Sequence, residues 1–172
     1  SSFEMRNEFS IRRIYAPLLE TITRFQLENT STIEVIFSSL KYINSTFRIQ
    51  NNAQLLSLDF PQLELIDITN SNLSIDNNPL LLAIEWNQLT DIKTNVNYNY
   101  FYIYNNASLE RIELNALEDV ESNFQIENNS SLETIELQQL VNVHRKVGVS
   151  DNSLLTSLSA PQLFSVGDYL FS

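Results

Sequence analysis

One register of apolar residues recurs seven times along this 172-residue chain and constrains its fold more than any other feature. Counting from Phe124, apolar side chains stand at plus 2 (Ile126), plus 8 (Leu132), plus 11 (Ile135), plus 16 (Leu140) and plus 19 (Val143), with Asn128 at plus 4. The same offsets from Phe101 give Ile103, Asn105, Leu109, Ile112, Leu117 and Val120, and from Phe47 they give Ile49, Asn51, Leu55, Leu58, Leu63 and Ile66. Units beginning at Phe3, Leu73 and Val147 follow the pattern as well. The unit at Phe25 keeps Leu27, Asn29, Ile33 and Ile36 but reaches Leu40 and Ile43 one residue early, which reads as a deletion after Ile36.

A repeat of about 22 to 23 residues, with insertions before Leu73 and Phe101, suits a stacked architecture in which no unit buries its apolar side alone. Apolar residues at zero and plus 2 flank an outward position, the period of a strand with one buried face. The pair at plus 8 and plus 11 implies a second short strand or turn. Helices are disfavoured, because the segments between anchors are short and rich in Ile, Val, Thr, Asn and Ser. The expected fold is therefore all-β, a parallel β-helix of about seven coils forming a single domain over residues 1–172.

Asparagine recurs at plus 4 for a physical reason: it tolerates left-handed backbone, and its amide both donates and accepts at a corner. Asn7, Asn29, Asn51, Asn77, Asn105 and Asn128 are expected to form a structural ladder together with the neighbours Asn52, Asn78, Asn106 and Asn129. Pro17, Pro61 and Pro161 share the plus 14 offset, where a fixed φ helps the chain turn. Trp86 shares the plus 13 offset with Phe60, Leu114 and Leu137 and is expected in the core.

Lines such as Phe124-Gln125-Ile126-Glu127-Asn128-Asn129-Ser130-Ser131-Leu132 and Phe47-Arg48-Ile49-Gln50-Asn51-Asn52-Ala53-Gln54-Leu55 resemble the receptor L domain. That domain occurs in insulin-receptor and epidermal-growth-factor-receptor ectodomains and in a group of fungal cell-wall proteins. The resemblance covers nearly the whole chain and implies a right-handed, leucine-rich-repeat-like solenoid displayed at the cell surface and used for binding. The chain lacks the cysteines of the animal receptors and the glycine that often precedes their first strand, so growth-factor binding does not carry over.

Charge and composition narrow the partners. A net charge of -11 and a pI near 4.4 repel phosphate backbones, so nucleic acid is not an expected partner. The longest apolar runs, such as Pro79 to Ile84, are far short of the ~20 residues of a membrane helix, so no membrane insertion is expected within this segment. With no cysteine there is no disulfide framework. Two glycines leave no phosphate-cradling loop.

Catalytic groups are sparse. The one histidine, His144, sits beside Arg145 and Lys146 in a link and is read as solvated. Glu110, Glu113, Glu118, Asp119, Glu121, Glu127, Glu133 and Glu136 occupy mostly outward offsets. Stacked carboxylates of this kind suit Ca²⁺ or a glycosidase pair, but a charged face also keeps a solenoid soluble and its edges unpaired, and that reading is preferred. No enzyme activity, cofactor or metal is expected.

The most specific surface feature is Tyr98-Asn99-Tyr100-Phe101-Tyr102-Ile103-Tyr104. With Phe101 and Ile103 inward, alternation sets Tyr100, Tyr102 and Tyr104 together outside, with Tyr98 extending the row. Tyrosine is favoured at interfaces for its rigid ring and polar tip, so this row is the candidate site for a protein or glycan; packing against the inserted segment Lys93 to Asn97 is the equal alternative. Asp76, Gln125 and Glu127 fall at equivalent outward offsets. Six N-glycosylation sequons stand at Asn29, Asn44, Asn72, Asn106, Asn128 and Asn129. Asn44 and Asn72, expected in links between coils, are the better acceptors; Asn29 and Asn128 are expected to have buried amides.

The functional expectation is a non-catalytic extracellular or cell-surface recognition module. The alternative is a structural subunit of a filament or coat, with solenoids stacked end to end. Leu170 reads as the first residue of an eighth coil, so the segment is expected to belong to a longer chain.

Overall fold

A computed structural model describes residues 2–94 and 100–167, apart from the side chains of 69–72. Among these residues there are eighteen strands and no helix, and all strand pairings are parallel. The protein is a β-solenoid of about seven turns.

Each coil contributes to two faces. The long sheet holds β1 (Ser2–Arg6), β3 (Thr21–Glu28), β5 (Tyr42–Gln50), β7 (Leu65–Asp76), β9 (Asp91–Thr94), β10 (Tyr100–Tyr104), β12 (Asp119–Val120), β13 (Asn123–Glu127), β15 (Asn142–Val143), β16 (Val147–Ser150) and β18 (Ser165–Val166). Its register matches the sequence repeat, with Phe3 beside Phe25, Phe25 beside Phe47, Phe47 beside Leu73, Leu73 beside Phe101, and Phe101 beside Phe124. In β3, β5 and β7 the plus 19 anchor and the next zero position lie on one continuous strand.

The plus 11 residues form short strands on the second face. They fall into two separate ladders: β2 (Arg13–Tyr15), β4 (Glu34–Ile36) and β6 (Ser57–Asp59), then β8 (Ala83–Glu85), β11 (Arg111–Glu113), β14 (Thr134–Glu136) and β17 (Ser157–Ser159). No ladder joins β6 to β8. Elsewhere a backbone bond after each short strand ties one coil to the next, as Phe37 N–H to Asp59 O (3.0 Å) and Trp86 N–H to Glu113 O (3.1 Å). One backbone bond, Leu82 N–H to Leu56 O (3.3 Å), and aromatic rings cross the gap: Phe60 stacks on Trp86 with centroids 5.6 Å apart.

The core is the repeat register read inward. Ile22, Phe25, Leu27, Phe47, Ile49, Leu55, Leu81, Ile84, Trp86, Phe101 and Ile112 are fully buried, and Trp86 lies in the core as its offset predicts. The Phe25 unit differs from expectation. Val35, not Ile36, pairs with Ile14 and Leu58, and Thr32 is fully buried while Ile33 is only half-buried. The deletion therefore lies between Thr30 and Thr32. A one-residue slip turns every following strand side chain to the opposite face, so Thr32, Val35 and Phe37 take the inward places. Phe37 thereby joins the aromatic column, stacked 5.5 Å from Phe60.

The paired asparagines divide the work that the sequence assigns to them jointly. At plus 4, Asn7, Asn29, Asn51, Asn77, Asn105, Asn128 and Asp151 take φ of 53° to 58°. This left-handed conformation suits Asn and Asp best among non-glycine residues, so corners form without glycine. Asn7, Asn29, Asn51, Asn77, Asn105 and Asn128 stack as corners, with Asn105 Nδ2 donating to Asn77 Oδ1 at 3.0 Å on the exposed side, whereas the buried amide ladder is the plus 5 residue. Asn52, Asn78, Asn106 and Asn129 are fully buried. Each donates its backbone N–H to the Oδ1 of the next coil: Asn52 to Asn78 (3.2 Å), Asn78 to Asn106 (3.1 Å), Asn106 to Asn129 (3.0 Å) and Asn129 to Asn152 (2.9 Å). Each Nδ2 also donates to a carbonyl of the preceding coil, as Asn106 to Ile75 O at 2.9 Å. Thr30 holds the place in the second coil, its hydroxyl donating to Asn52 Oδ1 at 2.8 Å.

The two glycines are not equivalent. A Cβ on Gly167 would enter the His144 carbonyl group, 2.8 Å from its carbon, whereas one on Gly148 would meet only Gln125 and Glu127 side-chain atoms at 3.4 to 3.8 Å. Gly167→Ala is expected to cost about 2 kcal/mol and to loosen the last coil, while Gly148→Ala stays within about 0.5 kcal/mol of the parent. Thermal unfolding followed by circular dichroism checks both; equal melting temperatures for the two variants would refute the distinction.

Candidate functional site

Strand β10 builds the site by alternation. Phe101 and Ile103 are fully buried, and Tyr100, Tyr102 and Tyr104 point outward, each half-buried rather than fully exposed. The Tyr100 and Tyr102 rings stack with centroids 4.8 Å apart and planes 20° from parallel. Tyr98 lies outside the described residues.

The neighbouring strands frame this row. Tyr102 is level with Ser74 and Gln125, and Tyr104 is level with Asp76 and Glu127. Asp76, Tyr102, Tyr104 and Glu127 line a shallow open depression. Desolvation pushes the Asp76 carboxyl above its ordinary pKa, opposed by a hydrogen bond from Gln50 Nε2 (2.6 Å) and by the charge of Arg48. Desolvation also raises the Tyr102 hydroxyl, with smaller contributions from Tyr100 and the Glu127 charge.

The outward face changes character along the stack. Toward the N-terminal coils it carries a self-paired network: Arg6 with Glu28 (3.5 Å), Arg48 with Glu28 (3.8 Å), and Arg6 with the Gln26 side chain. Beyond Tyr102 the aligned positions Gln125 and Gly148 are uncharged, and beyond Tyr104 the charged Glu127 is followed by Ser150.

The remaining candidates are scattered. His144 lies in a bend between β15 and β16, half-exposed, with Nε2 3.1 Å from Asp119 Oδ1. Of the acidic residues, Glu113 is aligned with Glu85 and Glu136, and Arg111 sits among them, 2.7 Å from Glu85. Among the described residues no three His, Cys, Asp or Glu side chains gather as a metal site would require. No helix among them is long and apolar enough to cross a membrane.

The sequons sort differently from expectation. Asn106 is fully buried, its amide engaged in the ladder, so it is no glycan acceptor in the folded chain. Asn29 and Asn128 are exposed, because they are corners and not ladder amides. Asn44 is exposed but lies within β5 rather than in a link; Asn72 lies within β7, its side chain outside the described residues. The buried partner in each Asn pair was hidden from sequence reasoning, since both positions are asparagine in four coils. The signal was Thr30, which replaces the plus 5 residue by another small hydrogen-bonding side chain while Asn29 is kept.

No family model matches the chain, and no solved structure matches it. It is similar to Sporulation-specific protein 22 of Saccharomyces cerevisiae, at 28% identity over 128 residues. That similarity takes in 63% of this chain and 26% of the yeast protein, so the chain spans about a quarter of that relative, to which it is a distant and partial homologue.

Proposed function

We propose that this protein is a non-catalytic recognition module, displayed at the cell surface or outside the cell, that binds a protein or glycan through the tyrosine-bearing face of its long sheet. The observation that carries the reading is the row Tyr100, Tyr102 and Tyr104 on a rigid strand, beside the depression that Tyr102 and Tyr104 line with Asp76 and Glu127. Rigid aromatic rings with polar tips make contact area at little entropic cost. The receptor L-domain resemblance fits the same reading, and the sporulation-specific relative supports a setting in spore formation.

Tyr102→Ser combined with Tyr104→Ser is expected to lower affinity for the partner at least about thirtyfold, since two interface aromatics each carry about 1 to 2 kcal/mol or more. Thermal stability should fall little, because neither ring is in the core. A pull-down from native extract followed by titration of the recovered partner measures this, and full retention of binding defeats the reading.

A second reading is a structural subunit stacked end to end, for which the parallel stacking of the coils along one axis is the geometry required. Electron microscopy of native material separates the two: regular filaments favour stacking, dispersed particles favour recognition.

A further inference from the structure

We infer that the partner inserts an arginine guanidinium over the Tyr104 ring, between the carboxylates of Asp76 and Glu127. This rests on the recognition reading above and adds the chemistry of the bound group.

Asp76, Tyr104 and Glu127 occupy the same outward position on three successive strands, β7, β10 and β13. Strand spacing is roughly 4.8 Å, so the two carboxylates bracket the ring about 10 Å apart. The face of an aromatic ring carries partial negative charge and attracts a cation. Here a full negative charge stands on either side of that ring.

Neither carboxylate has an ion-pair partner among the described residues. Asp76 accepts from the neutral amide of Gln50 and feels the charge of Arg48, which itself pairs with Glu28 at 3.8 Å. Among the described residues the Glu127 carboxylate has neither a hydrogen bond nor an ion pair. The next aligned positions, Gly148 and Ser150, add no charge, and the Glu127 carboxylate and the Gln125 side chain border the place where Gly148 lacks a side chain. Lys146 lies two residues before Gly148, on the line of Tyr100 and Asn123 and away from the depression. The chain as a whole, at -11, draws cations and repels acidic glycans.

Arginine suits the place better than lysine. Its planar group stacks on a tyrosine while its edge donors reach carboxylates, whereas an ammonium is compact and strongly hydrated.

The test uses the intact chain and three probes: a blocked Ser-Arg-Ser-Arg-Ser peptide, the same peptide with citrulline in place of arginine, and neutral maltohexaose. Citrulline keeps the shape and removes the charge. By calorimetry or chemical-shift titration the arginine peptide is expected to bind at least about tenfold more tightly than the citrulline peptide. Asp76→Asn with Glu127→Gln should remove that preference, with unchanged circular dichroism. No binding of the arginine peptide, equal binding of both peptides, or an unaffected preference in the carboxamide variant each overturns the inference. Maltohexaose or citrulline-peptide binding that is lost in the Tyr102→Ser, Tyr104→Ser variant but survives in the carboxamide variant overturns the inference while leaving the recognition reading intact. Arginine binding that is indifferent to both tyrosines ends the two together.

Discussion

Asn106→Ala is expected to destabilise the folded chain by about 4 kcal/mol, because the deletion strands several buried partners at once. Asn106 Oδ1 accepts from the backbone N–H of Asn78 at 3.1 Å and from Asn78 Nδ2 at 3.2 Å, and Asn106 Nδ2 donates to Ile75 O at 2.9 Å. A buried donor or acceptor left alone costs about 1 to 3 kcal/mol, far more than the net worth of a satisfied bond. The residue next to it provides the control. Asn105 is exposed at φ 58°, so Asn105→Gly should leave stability within about 1 kcal/mol of the parent. Urea unfolding followed by far-ultraviolet circular dichroism measures both, and similar midpoints for the two variants would contradict the division between corner and ladder.

Trp86→Ala should cost a similar amount, about 4 kcal/mol, for a different reason. Its ring is fully buried, stacks on Phe60 at 5.6 Å and meets Phe47 edge-on at 5.6 Å. Alanine would leave a cavity that the flanking strands, fixed by their ladders, are poorly placed to fill. Trp86→Phe is a separate case. Trp86 Nε1 is buried without a hydrogen-bond partner, so phenylalanine removes an unsatisfied donor as well as some volume. The phenylalanine variant is expected within about 1.5 kcal/mol of the parent. Thermal melts by circular dichroism decide it, and an alanine variant as stable as the phenylalanine variant would mean that the column repacks freely.

Most of the fold was legible because each coil repeats one pattern of inward and outward positions, and burial follows that pattern without exception from Phe47 to Val143. The tyrosine row was readable for the same reason: once Phe101 and Ile103 point inward, strand alternation leaves Tyr100, Tyr102 and Tyr104 no other side. What escaped were distinctions that periodicity does not encode. Val35 and Ile36 are equally apolar, so nothing in their chemistry said which fell in register after the deletion. Asn105 and Asn106 are chemically identical, and only the three-dimensional corner separates a left-handed backbone from a buried amide. The residues between Ile68 and Leu73 read as an insertion between coils, yet β7 runs through them, opposite the single residue Thr46, with Ser45 at φ 146° beside the shift. The gap between β6 and β8 left no trace, because Leu58 and Ile84 both keep the apolar plus 11 position.

That gap gives the column an uneven stiffness. On one side strand ladders run unbroken through every level, while on the other the ladder is interrupted between the third and fourth coils, where flat rings and the single backbone bond from Leu82 to Leu56 hold the level together. Ring surfaces slide with less penalty than a continuous ladder of peptide bonds, so under lateral load this level is expected to yield first, by tilting about the continuous side. The tyrosine face begins just beyond it, so the coils that carry it are expected to tilt against the N-terminal coils before any coil unravels.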